Sequence, residues 1–219
     1  MKTEDLILQL AKSAAPVTPL AAPSIRLLRW MALAALVTAV AIVAIGPRHD
    51  LIAAAARPAF TASLVGLLVA TVSAAAAALV LSVPGAERSP LQRALPVVAA
   101  AAWPAAWLAA MTTNAAPGGA RLFHLACAVE IAALGAASGW VLFAMIHRAA
   151  PLRPGWTAGL ASLAAITSAS AATQVICPVD DPGHQLFGHV LVAAVVGLAG
   201  FLTGQRLLRR SSERLDRTR

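Results

Sequence analysis

At 219 residues, 59% hydrophobic, 12% charged and with a mean hydropathy of +0.77, the chain has too few polar groups to solvate a soluble globule. Composition therefore assigns it to the integral membrane proteins. The net charge of +8 gathers at one membrane face, where topology and anionic lipid both favour it, so a lipid bilayer and no nucleic acid is the expected partner.

The first 26 residues form the longest piece outside the predicted spans. Thr3 is placed to cap a short helix whose first turn carries Glu4 and Asp5 at the positive end of the helix dipole. Leu6, Ile7, Leu10, Ala11 and Ala14 recur on one face, and Pro16 and Pro19 end the run. Such a helix is too short to be stable alone in water and lacks the basic face of a lipid-surface helix. Docking into a protein groove is the preferred reading, with membrane-surface and frayed states as alternatives.

Apolar runs long enough to cross the bilayer follow at 27–46, 59–81, 94–111, 122–146, 156–176 and 186–208. The predicted fold class is thus all-α, a polytopic bundle of six transmembrane helices. With both termini in the cytoplasm, only Arg48, Arg57 and Arg121 fall outside, as retention of basic residues on the inner side requires. The organisation reads as an N-terminal segment 1–26, a transmembrane domain 27–208 and a basic tail 209–219. The first run is itself of spanning length and lies after about 26 residues, so it is expected to be retained rather than cleaved as a signal peptide. Trp30 and Trp156, at inner-side span starts, fit interfacial anchoring. Gly135, Gly139, Gly197, Gly200 and Gly204 fit close helix approach.

The unusual chemistry lies at the outer end. His124, Cys127 and Glu130 are three residues apart in turn near the start of the fourth span, and Gln174 and Cys177 share that relation at the end of the fifth. Between the fifth and sixth spans runs Cys-Pro-Val-Asp-Asp-Pro-Gly-His, Cys177 to His184, followed by His189. Ionisable groups at membrane depth are costly and turn inward, so His124, Glu130, Asp180, Asp181, His184 and His189 are expected to form a polar cluster with the thiols. A disulfide is open to Cys127 and Cys177 if their Cα atoms come within about 7 Å. A metal is open to Cys127, Cys177 and His184, whose ligand types suit zinc or softer ions, although the spacing matches no closed structural site. The plain alternative makes Cys127 a packing residue and Cys177 a helix cap before Pro178.

No catalytic motif is present, so an enzyme is not expected. A small ion or metal transporter, or a membrane redox protein, relaying through Glu130, His124 and His189 is the alternative from another class. It would need polar residues across the bilayer, and the inner halves of the spans are almost entirely Ala, Leu, Val and Gly.

The opening Met-Lys-Thr-Glu-Asp-Leu-Ile (Met1 to Ile7), the six-span layout and the signature at Cys177 to His184 with His189 beyond it resemble the NrsF (negative regulator of sigma F) family of bacterial membrane anti-sigma factors. The resemblance covers essentially the whole chain. It implies a multi-pass protein of the bacterial inner membrane that holds an extracytoplasmic-function sigma factor through its N-terminal segment, with Thr3, Asp5, Leu6, Ile7 and Leu10 as the binding residues. It implies release when oxidant or heavy metal acts on the cysteine pair, here Cys127 and Cys177, with no required cofactor beyond transient binding of a heavy-metal ion. Gln185 and Gly188 stand where the family pattern has a histidine and an aromatic, which shifts the expected chemistry from imidazole toward thiol.

Overall fold

The computed structural model describes residues 3–13, 19–86, 89–113, 125–149 and 151–217. Every regular element among them is helical: α1 (Thr3–Ser13), α2 (Pro23–Ile45), α3 (Leu51–Ala55), α4 (Pro58–Leu81), α5 (Leu91–Thr113), α6 (Leu125–His147), α7 (Pro154–Ile176), α8 (Pro182–His184), a π turn (Gln185–Val190) and α9 (Leu191–Arg217). Proline opens α2, α4, α7 and α8, where its missing N–H would have no intrahelical partner anyway. Gly46, at φ +98°, supplies the left-handed turn that ends α2.

Among the described residues five helices are long and apolar enough to cross a membrane: α2, α4, α6, α7 and the continuous run from Pro182 to Leu208. The other expected span, 94–111, falls within α5, whose 23 residues have sufficient length and whose described side chains end at Leu108. Large apolar side chains face outward, with Ile52 at 90%, Val43 at 86% and Trp140 at 77% exposure. A soluble monomer rarely carries so much uncovered apolar surface, and lipid is its natural solvent.

Helix α7 is the centre, packed against α4, α6 and α9. It is rich in Ala, Ser, Thr and Gly, and small residues permit close approach where lipid supplies no hydrophobic drive between helices. Its threonine hydroxyls turn back to the carbonyl four residues earlier, as Thr167 Oγ1 does to Leu163 O and Thr173 Oγ1 to Ala169 O, so burial leaves these satisfied. Thr71 Oγ1 of α4 then donates to Thr167 Oγ1 at 2.9 Å, joining the two helices. A Cβ on Gly139 would lie 3.2 Å from that of Ala165, and one on Gly204 would overlap the Phe143 ring. Both glycines are sites of close helix approach.

Trp30 departs from its expected place. It is fully buried rather than interfacial, and its Nε1 donates to Ser138 O at 2.9 Å. The small residues Ser138 and Gly139 open the space on α6 that an indole can enter. Arg26, expected in the segment before the first span, is likewise buried within α2, donating to Ser82 Oγ and Met145 O near the C-terminal ends of α4 and α6. A guanidinium there suits the negative ends of both helix dipoles.

Candidate thiol and imidazole centre

Four side chains from three neighbouring segments meet near one end of the bundle. Cys127 lies in the first turn of α6, and Cys177 follows the last residue of α7, its N–H bonded to Thr173 O at 2.7 Å. Pro178 has no N–H to extend the helix, so the chain turns. Asp181 then caps α8, its Oδ1 accepting from the His184 N–H at 3.0 Å, and Pro182 takes the first helical position.

The π turn decides where His189 points. In an α-helix residues five apart diverge by about 140°, whereas the i→i+5 pattern stacks them, as in the bond from the Leu191 N–H to Leu186 O. His184 and His189 accordingly stand together, ring centroids 5.0 Å apart in an edge arrangement. Gly188 makes room: a Cβ there would meet the His184 ring at 3.0 Å.

The two sulfurs are 3.7 Å apart and unbonded, and His184 Nε2 lies 3.4 Å from Cys177 Sγ and 3.9 Å from Cys127 Sγ. One ligand atom from each of Cys127, Cys177, His184 and His189 falls within 4.8 Å of the others. Both cysteines are 6% exposed and both histidines 0%. The buried His189 imidazole interacts with the Cys177 sulfur. The Cys127 thiol donates to Cys177 Sγ, and this bond holds the Cys177 thiol below its ordinary value against the opposing effect of burial.

The other expected members of the cluster do other work. Asp180 binds arginine, Asp181 caps α8, and Glu130, one turn along α6 from Cys127, stays outside the four-membered group with its Oε2 unpartnered. His124 lies outside the described residues. Gln185 is buried and donates from Nε2 to Val179 O, fixing the loop, while Gln174 donates to Ser63 Oγ of α4. In α1 every described side chain is exposed, including Thr3, Asp5, Leu6 and Ile7, while the side chain of Leu10 lies outside the described residues.

Arg48 was not singled out by its sequence context, an outer loop arginine after a span. Its side chain is 1% exposed and bridges Asp50 and Asp180, with Nε to Asp50 Oδ1 at 2.7 Å and Nη2 to Asp180 Oδ2 at 2.7 Å. The same guanidinium donates to Pro178 O, and the Arg48 N–H donates to Val175 O. Arg57 adds a second contact to Asp180 at 2.6 Å. The only readable signal was the pairing of outer acids with outer arginines.

Hydrogen bonds from Arg48 hold the Asp50 carboxyl down at about 2. Burial pushes Asp180 up, but Arg48 and Arg57 more than offset this and leave it below its ordinary value, and the two acids raise Arg48 further. A carboxylate with a lowered folded pKa contributes stability above its unfolded value of 3.8 and loses it as pH falls through about 2. The melting temperature in detergent is therefore expected to drop across that interval. A flat profile there would remove the network from the stability of the fold.

Fold and site together define a helical protein of membrane composition with, among the described residues, one buried Cys2His2 donor set. The chain belongs to the family described as negative regulator of sigma F, NrsF, whose model matches residues 10–209. That family is regulatory rather than enzymatic, and a sigma factor is the partner its name implies. No curated protein and no solved structure gives a significant match.

Proposed function

We propose that this protein is an inner-membrane anti-sigma factor with six spans and both termini in the cytoplasm. It sequesters an extracytoplasmic-function sigma factor through α1 and releases it when oxidant or heavy metal acts on Cys127 and Cys177 at the periplasmic side. The observation that carries the sensing part is two free, buried thiols 3.7 Å apart. An oxidant of the hydroperoxide class would take two electrons and two protons from the pair, leaving a disulfide and, from the oxidant, water and an alcohol. The sulfurs must close to about 2.05 Å, a movement of roughly 1.6 Å that the capped Cys177 loop has to absorb.

The holding part rests on α1, which leaves Leu6 at 40%, Ile7 at 59% and Leu8 at 59% exposure. An 11-residue helix with uncovered leucines gains stability by inserting that face in a partner's groove. The test is co-purification with the sigma factor of the same organism. Wild-type chain is expected to retain it and the double variant Leu6→Asp, Leu10→Asp to lose it, with membrane insertion unchanged. Retention by the variant would remove α1 as the docking element.

A further inference from the structure

We propose that Cys127, Cys177, His184 and His189 form a closed, four-coordinate site selective for a divalent d10 cation of the zinc class, with His189 as fourth ligand. This deepens the reading of the same thiols as a sensor by naming what they capture and which imidazoles complete the shell.

Three observations carry it. The first is spacing: around tetrahedral zinc, bonds of about 2.3 Å to sulfur and 2.0 to 2.1 Å to nitrogen give ligand edges of about 3.8 Å between sulfurs and about 3.6 Å between sulfur and nitrogen. The 3.7 Å between sulfurs and the 3.4 and 3.9 Å from His184 Nε2 bracket those edges. Three of the four donors are therefore already at the separations of an ion-sized centre, with His189 within 4.8 Å of them. The second is His189, fully buried in a group whose ligand atoms all lie within 4.8 Å and interacting with the Cys177 sulfur, so its imidazole shares the pocket of the other three donors. The third is the π turn, which brings His189 to the side of His184.

Charge then selects the cation. Both sulfurs bind as thiolates, so a divalent ion and two thiolates make a neutral unit, the form a buried apolar site tolerates. Copper(I) would leave a net negative charge beside Glu130, one turn away on α6. An oxyanion would find no donor geometry here. Mixed thiolate and imidazole ligation with tetrahedral edges is the zinc-type set.

The test uses the reduced full-length chain in detergent, titrated with cobalt(II) as the spectroscopic probe. The expected result is the intense visible bands of tetrahedral cobalt saturating at about one ion per chain, bleached by zinc. His189→Ala is expected to weaken binding at least tenfold, by analogy with the loss of supporting groups at metal sites. His189→Cys should restore tight binding with stronger sulfur-to-cobalt absorption, and it also controls for a variant that fails to fold. Absence of tetrahedral bands in the reduced wild-type chain overturns the site, and equal affinity of His189→Ala and wild type overturns the role of His189. Sigma-factor co-purification is read separately, so a failed metal titration and a failed anti-sigma assignment are distinguishable.

Discussion

Replacing Cys127 and Cys177 together with Ser is expected to make sigma-dependent transcription identical with and without hydroperoxide or cadmium ion. A serine hydroxyl stays protonated at any physiological pH, cannot form the sulfur–sulfur bond and is a poor ligand for a soft cation. Serine is close to cysteine in size, so the bundle is expected to survive the exchange at two sites that are each 6% exposed. Either single variant should remove disulfide formation completely, because each sulfur is the other's only thiol partner in the sequence. A reporter that still responds to oxidant in the double variant would refute thiol sensing. Thiol-blocking with a membrane-impermeant maleimide, followed by a mass shift, reports independently which face of the membrane reaches the pair.

Arg48→Ala is expected to destabilise the fold by about 3 kcal/mol, the lower end for breaking a buried ion pair from one side. The lower end applies because Asp50 and Asp180 keep 32% and 27% of their side-chain exposure, so water can take up part of the loss. Arg48→Lys should recover only part of it, since an ammonium cannot engage two carboxylates and a carbonyl with the planar fork that Arg48 uses. Unfolding of the three proteins in detergent provides the comparison. An alanine variant that melts with the wild type would show that the acids and Arg57 alone hold these loops.

Much of this site was legible in the sequence because its residues are improbable where they occur. Two cysteines near span ends and a polar run between apolar helices have few reasons to exist in lipid, and inward convergence follows from the cost of burying them alone. His189 was harder. Read with α-helical periodicity it points away from His184, and the π turn that brings them together has no signature in Gln185 to Val190. The spacing Cys127, Cys177, His184, His189 resembles no familiar zinc pattern because a loop cap and a π turn, rather than a hairpin, set the geometry. Asp180 was grouped with the thiols by proximity in sequence, whereas its charge is taken up by Arg48 and Arg57. Trp30 misled for a related reason: span-end position suggested an interface, but the small residues facing it on α6 are visible only once the helices are paired.

The loop from Cys177 to His189 is tied at nearly every step. The Cys177 N–H goes to Thr173, the Pro178 carbonyl to Arg48, the Val179 carbonyl to Gln185, Asp180 to two arginines and Asp181 to the His184 N–H. Connections between helices ordinarily absorb added or deleted residues without harm. This one is expected to tolerate no change of length. Inserting one glycine after Val179 would pull Asp180 away from Arg48 and the Val179 carbonyl away from Gln185. Loop length is therefore a constraint on this protein in the same sense that residue identity is.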